Sequence, residues 1–373
     1  MSTKHKIAFV IQGLGVGGAE KFLISIVNHF YKQDIIPILI ILSNKKELIY
    51  ELNPNITVIS ILKKHRFDIF VSLRIKKFIK SNSIKTVFCI NSYAFFLAKW
   101  PFYFDNSVSF FASLHSTIPF SVKYFWQNLL YFRVLKKKDS IIYLCKNQRN
   151  YLKRKYFLSK SFEHIIYNGI DTNYFNPYDF NYTDRSFLRT KLLIQDHERI
   201  IILVGRLQNE KRHIDAINAL YYLHHSLLNK AHLLFVGSGT KEYSNILINE
   251  VIEKKLEGFV HFLGNHLDVR KFYSIADVFT LTSNSETFSL AALEAMSFGI
   301  PCSLTNVGGA SEMIIDGLNG LLSNKEDIIS IANTWNDLLN VNINKSTIRQ
   351  HVLDNFSSDK MFYQYEKLLN ISN

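Results

Sequence analysis

Short apolar runs alternate with stretches of helical periodicity along this chain. Lys6–Ile11 reads as a strand, Ala19–Tyr31 as a helix, Ile36–Leu42 as a strand, Leu73–Lys80 as a helix and Thr86–Ile90 as a strand. Ser140–Cys145 and His164–Tyr167 continue the strand pattern. A stretch rich in Asn, Asp and Pro from Asn168 to Asp184 then interrupts it, and the alternation restarts. Arg199–Val204, His232–Val236, Val260–Leu263, Val278–Thr282 and Pro301–Leu304 read as strands; Ile214–Leu228, Tyr243–Lys254, Val269–Ile275 and roughly Ser289–Phe298 read as helices. Strands separated by helical crossovers predict parallel sheets, so the expected fold class is α/β with two doubly wound units, residues 1–180 and 181–373. The last helix, about 355–373, is free in this scheme to pack back on the N-terminal unit. Ligands of such sheets bind at the carboxyl ends of the strands, and a central cleft between the units is the expected active site.

Composition agrees with two ordinary globular units: 373 residues are too many for one core, 47% are apolar, 20% are charged, and six prolines leave little room for disorder. The apolar runs fall short of the ~20 unbroken residues a spanning helix needs. The segment before Lys6 lacks the apolar core of a secretory leader, which predicts a cytoplasmic protein. Cys89, Cys145 and Cys302 stand far apart without ligand spacing and read as buried thiols rather than a metal site.

Charge changes the picture when it is divided. Residues 1–180 hold 26 Lys and Arg against 10 Asp and Glu, whereas the remainder holds 18 against 21. The densest part, Lys123–Lys160, interleaves bases with Tyr124, Phe125, Trp126, Tyr131 and Phe132. Bases among aromatics suit an anionic membrane surface better than nucleic acid, so peripheral attachment to the inner face of the membrane is expected, with a solvated helix face over an aromatic core side as the alternative.

The glycines Gly13-Leu14-Gly15-Val16-Gly17-Gly18 lie between a predicted strand and a predicted helix, in the G-x-G-x-x-G spacing that brings backbone N–H groups to a phosphate. A nicotinamide site would also place an acid at the end of the second strand, where this chain has Ser43-Asn44-Lys45-Lys46. That run could instead suit a 2′-phosphate, so an oxidoreductase reading is weakened here rather than removed, and the second half of the chain is what demotes it.

The second half supplies a different set of ligands. After one strand come Arg206 and Lys211, a fork of donors and a compact charge that could hold both phosphates of a diphosphate. After the next comes the small-residue turn Gly237-Ser238-Gly239, through which backbone amides can approach a nucleotide. After a third, Glu286 lies at the strand-to-helix turn and Glu294 lies eight residues on, within the apolar stretch Leu290–Met296, where a carboxylate must find hydrogen-bond partners. Ribose hydroxyls or a neighbouring structural base would both serve.

These motifs in this order resemble the family 4 retaining glycosyltransferases of the GT-B fold, two Rossmann-like domains facing a central cleft. The resemblance runs through Gly17-Gly18-Ala19-Glu20, Asn168-Gly169-Ile170-Asp171, Gly205-Arg206-Leu207 with Lys211, Gly237-Ser238-Gly239, Phe262-Leu263-Gly264 and the Glu286 to Glu294 pair. It continues through Gly299-Ile300-Pro301, Gly308-Gly309 with Glu312, and Asp316-Gly317-Leu318-Asn319-Gly320. The resemblance implies that the N-terminal domain binds the acceptor and the C-terminal domain the nucleotide sugar. It implies that Arg206 and Lys211 bind the diphosphate, that Glu286 contacts the donor sugar, that Glu294 holds the ribose and that His115 is the cleft histidine near the donor sugar. Gly17, Gly18, Asn168, Gly237, Gly239, Phe288, Ser289 and Leu290 fall among its substrate-binding positions. Arg212 stands where glycine is commoner after the lysine, and Thr287 replaces a frequent glycine after the first glutamate, both of which bear on the donor pocket.

The family reading makes the expected function transfer of a hexose, with retention, from a nucleotide sugar, preferably linked to UDP, to a membrane-associated lipid-linked saccharide in bacterial surface glycan synthesis. No Asp-x-Asp triplet occurs, so the positive groups are expected to be side chains rather than a metal, with no cofactor. A sugar-nucleotide epimerase, a phosphorylase and a non-catalytic sugar-nucleotide-binding scaffold are the alternatives on the same architecture.

Overall fold

The structure is a computed structural model that describes residues 5–33, 35–63, 68, 70–116, 122–158 and 162–369. Lys160, at the end of the basic stretch, lies outside the described residues, as do residues 370–373 of the expected last helix. The chain divides into two compact units, Met1–Tyr167 with Gln364–Asn373, and Asn168–Tyr363. The division falls after Tyr167 rather than at 180. The turn-rich stretch belongs with the second unit because its backbone is tied there: Ile170 N–H donates to the Phe356 carbonyl at 2.9 Å, and the Arg349 guanidinium donates to the carbonyls of Thr172 and Phe175, each at 2.9 Å.

The first unit has strands β1 (Lys6–Ile11), β2 (Ile36–Ile41), β3 (Thr57–Ser60), β4 (Thr86–Ile90), β5 (Ser109–Leu114), β6 (Ser140–Tyr143) and β7 (Phe162–Ile165). Its helices are α1 (Gly18–Lys32), α2 (Phe70–Ser81), α3 (Asn91–Lys99), α4 (Val122–Phe132) and α5 (Lys146–Tyr156). The sheet is parallel in the order β3-β2-β1-β4-β5-β6-β7. Chain order reverses between β1 and β4, so the loops after those two strands diverge and leave a crevice at their carboxyl ends. Helix α2 packs on α3, α3 on α4 and α4 on α5.

The second unit has α6 (Tyr182–Lys191), β8 (Arg199–Val204), α7 (His213–His225), β9 (Ala231–Val236), α8 (Lys241–Glu253), β10 (Val260–Gly264), α9 (Arg270–Tyr273) and β11 (Val278–Leu281). It continues with α10 (Leu290–Ser297), β12 (Cys302–Thr305), α11 (Ala310–Met313), β13 (Gly320–Ser323), α12 (Ile328–Asn340), α13 (Lys345–Asn355) and α14 (Ser358–Leu368). Its sheet is parallel in the order β10-β9-β8-β11-β12-β13, and the reversal lies between β8 and β11. The end of α14 groups with the first unit. There the buried Tyr365 ring lies 5.6 Å from Phe22 and 5.7 Å from Phe88, and Glu366 Oε1 is 2.6 Å from His29 Nε2.

Strands β1, β4 and β9, in the interior of the two sheets, are buried almost along their whole length rather than alternating. Among the described residues no helix is long and apolar enough to cross a membrane. All three cysteines are buried thiols.

One ion pair breaks the apolar pattern of the first core. The Lys99 ammonium, at the end of α3, donates to Asp139 Oδ1 at 2.7 Å and lies 4.7 Å from the Phe110 ring; both charged side chains are wholly buried. Asp139 Oδ2 also accepts the Lys136 N–H at 2.8 Å, which fixes the turn leading into β6. Removing one partner strands a buried charge, so Asp139→Ala should lower unfolding stability by about 3–5 kcal/mol in urea titration. Lys99→Met combined with Asp139→Leu should recover most of that loss. Equal losses in the single and double variants would show that packing alone is responsible.

Candidate functional site

In the second unit the loops after β8, β9, β11 and β12 are built against one another by close backbone contacts. Beyond β8, Gly205 N–H donates to the Val236 carbonyl at 3.0 Å and Leu207 N–H to the Ser238 carbonyl at 2.9 Å. The turn Gly205–Leu207 thus runs beside Gly237–Gly239. A Cβ on Gly237, which has φ of +146°, would sit 2.0 Å from the Gly205 carbonyl oxygen, and one on Gly239 would sit 2.0 Å from that of Leu207. Glycine is therefore required here by the approach of two protein backbones. The Gly237 amide is itself donated to the Gly264 carbonyl at 2.8 Å.

This lacing presents two cations differently. Arg206 is exposed, and its guanidinium has no hydrogen-bond or ion-pair partner among the described residues. Lys211 ends a single turn of 3₁₀-helix, Asn209–Lys211, and its half-buried ammonium contacts Glu286 Oε1. Ser283 Oγ donates to the same oxygen at 3.0 Å. The two loops are also joined through their backbones. Buried Thr282 Oγ1 lies 2.9 Å from the carbonyls of both Lys211 and Arg212, and Asn284 N–H donates to the Glu210 carbonyl at 2.9 Å. From beneath, the loop after β12 closes on Glu286: a Cβ on Gly308, with φ of +56°, would lie 2.0 Å from the Glu286 carbonyl oxygen, and Gly309 N–H donates to the Thr287 carbonyl at 2.8 Å. Lys211 follows β8 and Glu286 follows β11, the two strands that flank the reversal of chain order.

The rest of the acidic motif lies deeper. Ser289 caps α10, its hydroxyl accepting the Ala292 N–H at 3.3 Å, and Leu290 begins the helix half-buried. The Phe288 side chain is turned into the core, 5.4 Å from Phe356, and the Phe288 carbonyl accepts Asn168 Nδ2 at 3.0 Å. Glu294 is 6% exposed, and its Oε2 accepts the Tyr273 hydroxyl at 2.8 Å. Burial, with the Glu294 charge beside it, pushes the Tyr273 phenol well above its usual range, so it stays a donor. A structural partner for the carboxylate is therefore a tyrosine on α9 that the sequence motif gives no hint of.

The first unit carries the remaining positions. Gly17 is the extended N-cap of α1 and Gly18 its first residue; a Cβ on Gly17 would lie 2.5 Å from Glu20 Oε2. The glycine loop is held by Leu14 N–H, which donates to the Lys45 carbonyl at 2.8 Å, and by Leu48 N–H, which donates back to the Leu14 carbonyl at 3.1 Å. The Ser43-Asn44-Lys45-Lys46 run is thus a structural strut for the loop. His115 follows β5 with its ring 4.4 Å from Phe22 and its Nε2 3.0 Å from Ser113 Oγ. Its N–H donates to Asn91 Oδ1 at 2.7 Å, from a residue with φ of +66°. Burial pushes the His115 imidazole down to about 3, so the ring is neutral.

Residues 184–351 match the model of the "Glycosyl transferases group 1" family and residues 16–174 that of "Glycosyltransferase Family 4". The chain belongs to the family 4 glycosyltransferases. Among its relatives, the N-acetyl-alpha-D-glucosaminyl L-malate synthase of Bacillus anthracis is 32% identical over 209 residues, 54% of this chain and 52% of the relative. The UDP-Gal:alpha-D-GlcNAc-diphosphoundecaprenol alpha-1,3-galactosyltransferase of Escherichia coli is 27% identical over 198 residues, 52% of this chain and 50% of the relative. The matched segment thus spans about half the length of these relatives. The crystal structure of Anabaena HepE in complex with UDP superimposes with a TM-score of 0.82 at 19% identity, covering 99% of this chain and all of that one. A glycosyltransferase from Rickettsia africae gives a TM-score of 0.82 at 21% identity, with 99% of this chain and all of that one covered. These likenesses establish the fold as GT-B.

Within this glycosyltransferase the first of the two unusual positions, Arg212, is structural in its side-chain contacts. Arg212 has φ of +54°, a conformation glycine adopts freely, and its guanidinium is forked onto Asp215. Thr287 is buried. His213, which directly follows Arg212, is wholly buried, 5.2 Å from the Phe235 ring and 6.0 Å from Tyr243. Burial, then the Lys211 charge, pushes its imidazole down to about 3. The unfolded chain protonates this histidine below its ordinary value of about 6.5 while the folded one does not, so acid favours unfolding in the window between those two values. His213→Leu should therefore remove about 2 kcal/mol of the stability loss between pH 7.5 and pH 5, read from urea titrations at both pH values. An unchanged pH dependence would show that this ring titrates normally in the folded state.

Proposed function

We propose that this glycosyltransferase moves a hexose from a nucleotide sugar, a UDP-sugar by preference, to a lipid-linked saccharide with retention of anomeric configuration, and that it does so without a metal. The observation that carries the reading is the cation pair at the reversal between β8 and β11. Exposed Arg206 and half-buried Lys211 lie in the one loop after β8, with Glu286 and Ser283 opposite Lys211. A diphosphate brought there meets a guanidinium fork and an ammonium whose backbone is already fixed.

As the anomeric C–O bond to the diphosphate breaks, negative charge gathers on the departing phosphate oxygens and the sugar gains oxocarbenium character. Arg206 and Lys211 stabilise the first, while Glu286 orients sugar hydroxyls through the oxygen not shared with Ser283. The acceptor hydroxyl then forms the new bond to the anomeric carbon on the same face, its proton passing to the leaving phosphate. Glu294 is the ribose ligand in this reading, its carboxylate oriented by the Tyr273 hydroxyl. Burial keeps His115, in the first unit, a neutral imidazole able to accept or donate a hydrogen bond. The lipid-linked acceptor is supported by the Escherichia coli relative, whose name gives a diphosphoundecaprenol-linked acceptor.

Attachment to the inner face of the membrane is supported by the surface of α4 and α5. Tyr124, Trp126 and Leu130 of α4 are exposed; α5 carries Lys146, Arg149, Lys153, Arg154 and Lys155 and no acid. Phe157, in the left-handed region just after α5, is 83% exposed. A bulky aromatic at a position that suits glycine, turned to solvent, favours an interfacial partner.

Arg206→Ala and Lys211→Ala should each lower turnover by roughly 10²-fold or more in a sugar-nucleotide hydrolysis or transfer assay, with unchanged circular dichroism. Near-normal turnover by both would refute the diphosphate role. The protein should float with liposomes containing anionic lipid and lose most of that binding in Trp126→Ser combined with Arg154→Glu and Lys155→Glu. Equal flotation of this variant would move the membrane contact elsewhere.

A further inference from the structure

Lys211 can act on a diphosphate only if the turn that carries it is fixed, and that turn ends on a residue in an unfavourable conformation. Arg212 has φ of +54° and serves as the N-cap of α7, a place where an extended Ser, Thr, Asn or Asp is usual. Its side chain makes no capping bond. Instead Nε donates to Asp215 Oδ2 and Nη2 to Asp215 Oδ1, each at 2.8 Å, while Asp215 N–H donates to the Arg212 carbonyl at 2.9 Å. Asp215 is nearly buried in the first turn of α7. The same Arg212 carbonyl and that of Lys211 lie 2.9 Å from Thr282 Oγ1, on the loop that also carries Glu286.

We propose that Arg212 is a positioning residue for Lys211: the two-bond fork to Asp215 holds the left-handed turn closed and keeps the lysine aimed at the anion site. This rests on the reading of Lys211 as a diphosphate ligand. The fork replaces with side-chain bonds what a glycine would supply by having no Cβ. Arg212 is thereby a device of the backbone rather than a third cation for the substrate.

UDP titration calorimetry, with kcat and KM for the donor, tests this on the full chain. Arg212→Ala and Asp215→Ala should each weaken UDP roughly tenfold, the factor equivalent to the left-handed penalty of a non-glycine residue. Arg212→Gly, which needs no fork to hold the turn, should bind UDP within about threefold of the parent, and adding Asp215→Ala to it should cost nothing further. Should Asp215→Ala fail to fold, Asp215→Asn, which retains one acceptor, takes its place with a smaller loss in the same direction. Arg212→Gly binding as weakly as Arg212→Ala would overturn the proposal, because the guanidinium itself would then be the ligand. UDP binding unchanged in both Arg212→Ala and Asp215→Ala would also overturn it. Lys211→Ala separates the two claims. Unchanged UDP affinity there removes the lysine as a ligand, and this proposal with it, whereas a loss there beside an unaffected Arg212→Ala overturns only the proposal.

Discussion

The contact between Lys211 and Glu286 is the interaction on which the site of the second unit depends. A lysine on a flexible stem gains little from a surface carboxylate, because exposed pairs are screened and their side chains must be ordered. Here both groups are half-buried, the carboxylate is already oriented by Ser283, and the backbone under the lysine is held from across the strand gap by Thr282. Most of the ordering is therefore completed when the chain folds. A diphosphate would meet a cation that has little left to lose in conformational freedom, which is the physical content of preorganisation.

The parallel sheet explains why such a pair can form at all. Strands β8 and β11 are neighbours in space but are separated by residues 205–277 of the chain, and their helices leave in opposite directions along the sheet. The loops at their carboxyl ends are thus free of a crossover between them. The glycines at 237, 239 and 308 then let the surrounding loops come within backbone contact. The same reversal occurs between β1 and β4 in the first unit, where the glycine loop and Asn91 stand at the corresponding strand ends.

Much of this was legible in the sequence, for identifiable reasons. Lys6–Ile11, Thr86–Ile90 and Arg199–Val204 are apolar runs bounded by polar residues, and the strands match them residue for residue. Thr57–Ser60 escapes the pattern because it is an edge strand with partly exposed side chains, and α5 escapes it because Leu152 and Tyr156 are nearly its only buried apolar positions. Helix α12 did carry a signal, Ile331, Trp335 and Leu338 at helical spacing, in a stretch where no element was expected. In the site, motif spacing located Lys211, Glu286 and Glu294 but could not show what else they touch. Ser283, Tyr273 and Thr282 come from packing between distant segments, and the fork from Arg212 to Asp215 answers a backbone angle that no residue type announces.

The decisive experiment is a crystal structure of the protein with UDP. Diphosphate oxygens should lie within hydrogen-bond distance of both Lys211 Nζ and the Arg206 guanidinium, with the ribose against Glu294. UDP bound elsewhere, or bound while neither cation touches a phosphate oxygen, would contradict the diphosphate role of the two cations.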